Sequence, residues 1–148
     1  MSIRQAERIS GSANVVAAQP GPAALPAPNP EFAARLAQLI DQGRDAHQRF
    51  SARRGDAEQR VMAASGAAVA SEAWSVASVA LADLEASRSE AMVALGELDA
   101  IYAAEAIAAT ESGDPSKRDA AATARDQVTA IVGEEDDVLA RLRGKLRS

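Results

Sequence analysis

The chain has 148 residues, a net charge of −5, 3% aromatic residues, a single histidine and no cysteine. That length fits one domain of ordinary size. The missing cysteines exclude a disulfide framework, a thiolate zinc site and a cysteine nucleophile, and the lone histidine excludes both a two-histidine zinc site and the paired Glu-x-x-His motifs of di-iron bundles.

Alanine supplies 37 residues, about half of the 47% that are hydrophobic. Burial stabilises by roughly 0.8 kcal/mol per CH₂, so a core built on methyl groups is long and thin rather than thick. With few aromatics, and with glycine and proline sparse outside the N-terminal region, the composition predicts an all-α fold. It also fits the coding style of high-GC bacteria and their phages. Charge is unevenly spread. Residues 57–111 hold nine acidic side chains against Arg60 and Arg88, while residues 30–54 hold five arginines against three acids. This pattern predicts a central acidic helix flanked by more basic ones. A concentrated basic face, the footprint of a nucleic-acid binder, is missing.

Residues 1–29 are expected to form a disordered or extended arm, because prolines at 20, 22, 26 and 28 interrupt any helix. No apolar run reaches the ~20 residues of a membrane span, so the chain is expected in the cytoplasm. The Ala17-Ala18-Gln19-Pro20 stretch resembles the region just after a signal-peptide cleavage site, so a start further upstream implies export instead.

Residues 30–148 are expected to be one helical domain. Its first helix, about 30–54, starts with Asn29 as cap, Pro30 at the first position and Glu31 facing the positive end of the dipole. Phe32, Leu36, Leu39, Gly43, Ala46 and Phe50 form its stripe. Gly55 is the expected terminator and Asp56 the next cap. The second helix, about 57–111, is proline-free, with Trp74, Leu81, Arg88, Leu95 and Tyr102 at one heptad position and Ala77, Leu84, Ala91 and Leu98 at the other. Unbroken, it spans about 80 Å. Gly66, in Ala-Ser-Gly-Ala-Ala, is its weakest point. Gly113, Asp114 and Pro115 end it and start the third helix, about 115–146, whose stripe includes Ala121, Val128, Ile131, Glu135, Val138 and Leu142.

Short loops force antiparallel neighbours. Turning at Gly113 sets Leu98 opposite Val128, Leu95 opposite Ile131 and Leu84 opposite Leu142. Turning at Gly55 sets Leu36 opposite Trp74 and Gly43 near Ala67. The expected fold is therefore three helices in two antiparallel, coiled-coil-like hairpins sharing a long alanine-rich central helix. Helix contacts are anchored by Leu36, Trp74, Leu84, Leu95, Leu98, Ile131 and Leu142. Such a molecule leaves alanine-rich faces bare unless the central helix kinks near Gly66 or chains associate.

Arg88 and Glu135, both at core positions one layer apart, are the candidate structural ion pair that sets helix register. Glu134-Glu135-Asp136-Asp137 points four ways around a helix and lacks the glycine of a calcium loop, so it is a solvated acidic turn. His47 is assigned a structural or surface role, and Arg54-Gly55-Asp56 serves as helix stop and cap rather than as an adhesion tripeptide. No glycine-rich phosphate loop occurs. No catalytic, metal-binding or cofactor-binding residue is expected, and no cofactor. The expected function is a non-catalytic scaffold, adaptor or assembly protein, either a homo-oligomer or bound to another protein. A compact bundle enclosing a small apolar ligand or lipid is the alternative.

Overall fold

The computed structural model describes residues 29–147. The arm expected over 1–29 lies outside the described residues except for Asn29. Three helices, α1 (Pro30–Ala63), α2 (Glu72–Ser112) and α3 (Ser116–Arg147), pack against one another in an up-down-up bundle. No strand occurs among the described residues.

The expected start of α1 holds. Asn29 Oδ1 accepts a hydrogen bond from the Phe32 amide at 2.8 Å, with Pro30 in the first turn. The expected stop does not. α1 passes through Gly55 and ends at Ala63, because Ala57 and Val61 continue the buried stripe of Phe50 and are themselves fully buried. An Arg54–Glu58 ion pair spans the glycine and an Asp56–Arg60 pair follows it. Together these outweigh the ~1 kcal/mol that glycine costs inside a helix. The chain turns at residues 64–71 instead, with Gly66 at φ +80° and Ala70 at φ +70°. Ser71 then caps α2, its Oγ accepting from the Trp74 amide at 3.3 Å.

α1 stops about two and a half helical turns later than expected and α2 starts about four turns later, which changes the whole α1–α2 register. α1 covers most of α2, not just its first part, and also reaches α3. Leu36 packs in a cluster with Leu98 and Val128 rather than against Trp74. Trp74 is half-buried in the first turn of α2 and belongs to neither core cluster. Gly43 lies against Val128, whose two methyls would stand 3.2 Å from an added Cβ, and not near Ala67.

The second turn is as expected. Gly113 terminates α2 at φ +79°, its amide donating to the Ala109 carbonyl, and Asp114 Oδ1 accepts from the Ser116 amide at 3.0 Å. These bonds to Ser116 hold the Asp114 carboxyl below its ordinary value. Leu98 shares a cluster with Val128, and Leu84 with Leu142. Leu95 and Ile131 are half-buried.

Small residues of α2 are more central than their size suggests. Ala80, Ser87 and Ala94, at heptad spacing, are buried together with Ala77, Leu84, Ala91 and Leu98. Arg88, Leu95 and Tyr102, expected at the core, sit at its edge, half-exposed.

Candidate functional site

The core falls into two apolar clusters. Phe50, Val61, Leu84, Leu139 and Leu142 lead the one near the α1–α2 turn. Leu36, Leu39, Leu98, Val128 and Val132 lead the other. Between them lies a polar layer. Glu135 of α3 is fully buried, and its Oε2 is 3.0 Å from His47 Nδ1 of α1. Its Oε1 has no hydrogen-bond partner among the described residues. Ser87 of α2, also buried, directs its hydroxyl to the Asp83 carbonyl at 3.5 Å. His47 Nε2 is 3.7 Å from the exposed Glu134. Burial pushes the Glu135 carboxyl above its ordinary range, against the opposing pull of the His47 hydrogen bond and the more distant Arg88.

Arg88 and Glu135 are thus brought into one layer without pairing directly. The Arg88 guanidinium forks onto both oxygens of the neighbouring Asp136, and that bond raises its pKa. The partner that Glu135 uses is His47. The acidic run points several ways, with Glu134 and Glu135 toward His47, Asp136 toward Arg88 and Asp137 to solvent, but it is not the solvated turn expected, because Glu135 is fully buried. Among the described residues no cluster of His, Cys, Asp or Glu is placed to hold a metal ion. The polar layer ties α1 to α3 through His47 and Glu135, between the two apolar clusters.

The surface is more informative. α2 is apolar on its outer side as well as its inner one, and its two neighbours cover only the inner. On the outer side Val79, Ala86, Val93, Ala100 and Ile107 recur every seven residues, all exposed. Val79, Val93 and Ile107 are 62%, 56% and 65% exposed. Ala82, Ser89, Gly96 and Ala103 run beside them at the same interval, also exposed. The two rows make a second heptad seam about 42 Å long without a charged residue. The other two helices do not share this property: α1 turns Asp41 and Asp45 to solvent, and α3 turns Asp126, Glu134 and Asp137.

Four acids of α2 stand on the two rims of the seam and pair with arginines of the other two helices. Arg35 and Arg49 of α1 pair with Glu97 and Glu90 on one rim. Arg125 and Arg143 of α3 pair with Asp99 and Glu85 on the other. Large apolar residues at heptad spacing point to the inward seam of α2 but not to this outward one. The signal that could have found it is the absence of charge at every seventh position from Val79.

Among the described residues no helix is long and apolar enough to cross a membrane. The main grooves are open to solvent, one of them running between Asp56 and Arg60 of α1 and Val76, Val79 and Asp83 of α2. No protein-family model, no curated protein and no solved structure matches the chain.

Proposed function

We propose that the protein is a non-catalytic helical scaffold or adaptor that assembles through protein–protein contacts on the outer face of α2. The observation that carries this reading is the charge-free seam from Val79 to Ile107, exposed along its length and bordered by four acids paired to arginines. An apolar stripe of that length on one side of a helix gains stability only when something covers it. Four of its rim acids are already paired to arginines, so apart from Asp83 a partner meets little bare charge to desolvate. The alternative of an enclosed apolar ligand site draws less support. The chain does turn near Gly66, as that reading requires, but the space between the helices is filled by fully buried side chains such as Phe50, Leu84 and Leu98.

The test is photo-crosslinking in the cells that make the protein, with a benzophenone side chain placed singly at 79, 93 or 107 and, as controls, at 41 and 137. Protein adducts are expected at the first three positions and not at the controls. If 79, 93 and 107 give no adduct, or no more than the controls, the reading fails.

A further inference from the structure

We infer that the partner covering this seam is a second copy of the chain, its α2 running antiparallel to the first about a twofold axis level with the Ser89 and Val93 layers. The inference rests on the reading of the seam as a contact face. The bulky row of the seam (Val79, Val93, Ile107) is separated from the row of small residues by a fixed step of three. In antiparallel pairing each position of one row meets a position of the other. Val79 then meets Ala103 of the second copy, Val93 meets Ser89 and Ile107 meets Ser75, large against small in every such layer. Parallel pairing puts Val93 on Val93 and Gly96 on Gly96, crowding one layer and leaving the next one empty.

Two further observations select the register. Met92 is a partly exposed apolar residue on the Asp99 rim. With Val93 over Ser89, Met92 meets Met92 of the second copy at the axis, whereas one heptad away it meets Asp99. In the same register the Arg143–Glu85 pair faces Asp99–Arg125 of the second copy, so arginines and acids alternate. On the opposite rim Asp83, whose carboxylate has no partner among the described residues, faces Arg35 and Glu97. Gly96 meets Ala86. A methyl on Gly96 touches nothing within 4 Å among the described residues, so its helix cost of ~1 kcal/mol has no return within the three-helix bundle. Gly55, Gly133 and Gly144 are open too, but they lie outside the uncharged seam, where no close approach is implied.

The chain has no cysteine of its own, so single cysteines report the arrangement directly. The unmodified protein at tens of micromolar is expected to scatter light as twice 15.3 kDa. Under mild oxidation Met92→Cys is expected to form a disulfide dimer. Ile107→Cys alone is not, because its copy lies about 48 Å along the axis, but mixed with Ser75→Cys chains it cross-links to them. Val93→Glu, fully helical, is expected to weaken association by about 100-fold or more. A monomeric mass overturns the inference, as does a dimer in which Ile107→Cys cross-links to itself or Met92→Cys does not cross-link. Adducts from 79, 93 and 107 to other proteins alone would remove the second copy while leaving the scaffold reading in place.

Discussion

Glu135 is the residue whose environment departs most from what its chemistry prefers. A carboxylate with no exposed surface holds one hydrogen bond to His47 and leaves one oxygen unpaired. Removing a partner from such a group costs about 1–3 kcal/mol, so His47→Ala is expected to lose that much at neutral pH by chemical denaturation. A double-mutant cycle on His47 and Glu135 is expected to show coupling of this order. The cycle on Arg88 and Glu135 is expected to give only a few tenths of a kcal/mol, as the Arg88 guanidinium is committed to the half-exposed Asp136. The pH dependence has a definite sign. The folded state holds the Glu135 proton above its ordinary value of 4.5, so the stabilising contribution of this group is complete below that value. It is lost as pH rises through the folded-state pKa. Glu135→Gln removes the titration, so its stability relative to the parent should climb with pH across this window; a falling difference would contradict the assignment. Ala70 stores a second local cost, since a left-handed alanine costs roughly 1–2 kcal/mol. Ala70→Gly relieves it at some expense in unfolded-state entropy, for an expected net gain of about 0.5–1 kcal/mol.

At the level of elements, Gly55 decides between two architectures. If it ended a helix in the left-handed conformation, an added methyl would destabilise. In a continuous α1 the methyl meets nothing, and Gly55→Ala should stabilise by ~1 kcal/mol, read as a higher denaturation midpoint. Gly43→Ala should do the reverse. Its methyl would press on both methyls of the fully buried Val128 at 3.2 Å, and overpacking of this kind costs about 1–3 kcal/mol. Adding Val128→Ala to Gly43→Ala should recover part of that loss, which no mechanism remote from this contact predicts. The helix ends divide in the same way. Asn29-Pro30 and Gly113-Asp114 are legible because capping is a local matter of one side chain and one or two amides. The stop at Ala63 is not, because the two candidate glycines, Gly55 and Gly66, are separated only by what Ala57 and Val61 bury against α2 and α3.

For the molecule as a whole, two apolar clusters divided by a polar layer raise the question of independent melting. The same three helices run through both clusters, so they are expected to unfold together. Leu84→Ala in one and Leu98→Ala in the other should each cost about 2–5 kcal/mol and lower a single calorimetric transition; two separated transitions would show that the clusters are autonomous. Substitutions on the outer seam, such as Val93→Glu, should leave the stability of the isolated bundle within about 0.5 kcal/mol of the parent, because no core residue depends on them. Their effect belongs to association.

The alanine content, the heptad rows and the caps at Asn29 and Gly113 determine by themselves that this chain is helical, antiparallel across the second turn, and layered with Leu98 on Val128 and Leu84 on Leu142. These features depend on residues close in sequence or on one short connection. Tertiary structure alone decided where α1 stops, and with it the register that brings His47 to Glu135. It also decided that the second apolar side of α2 stays uncovered by α1 and α3. A helix with apolar rows on opposite sides has no single face of its own to bury, and only the packing of α1 and α3 leaves the seam from Val79 to Ile107 uncovered.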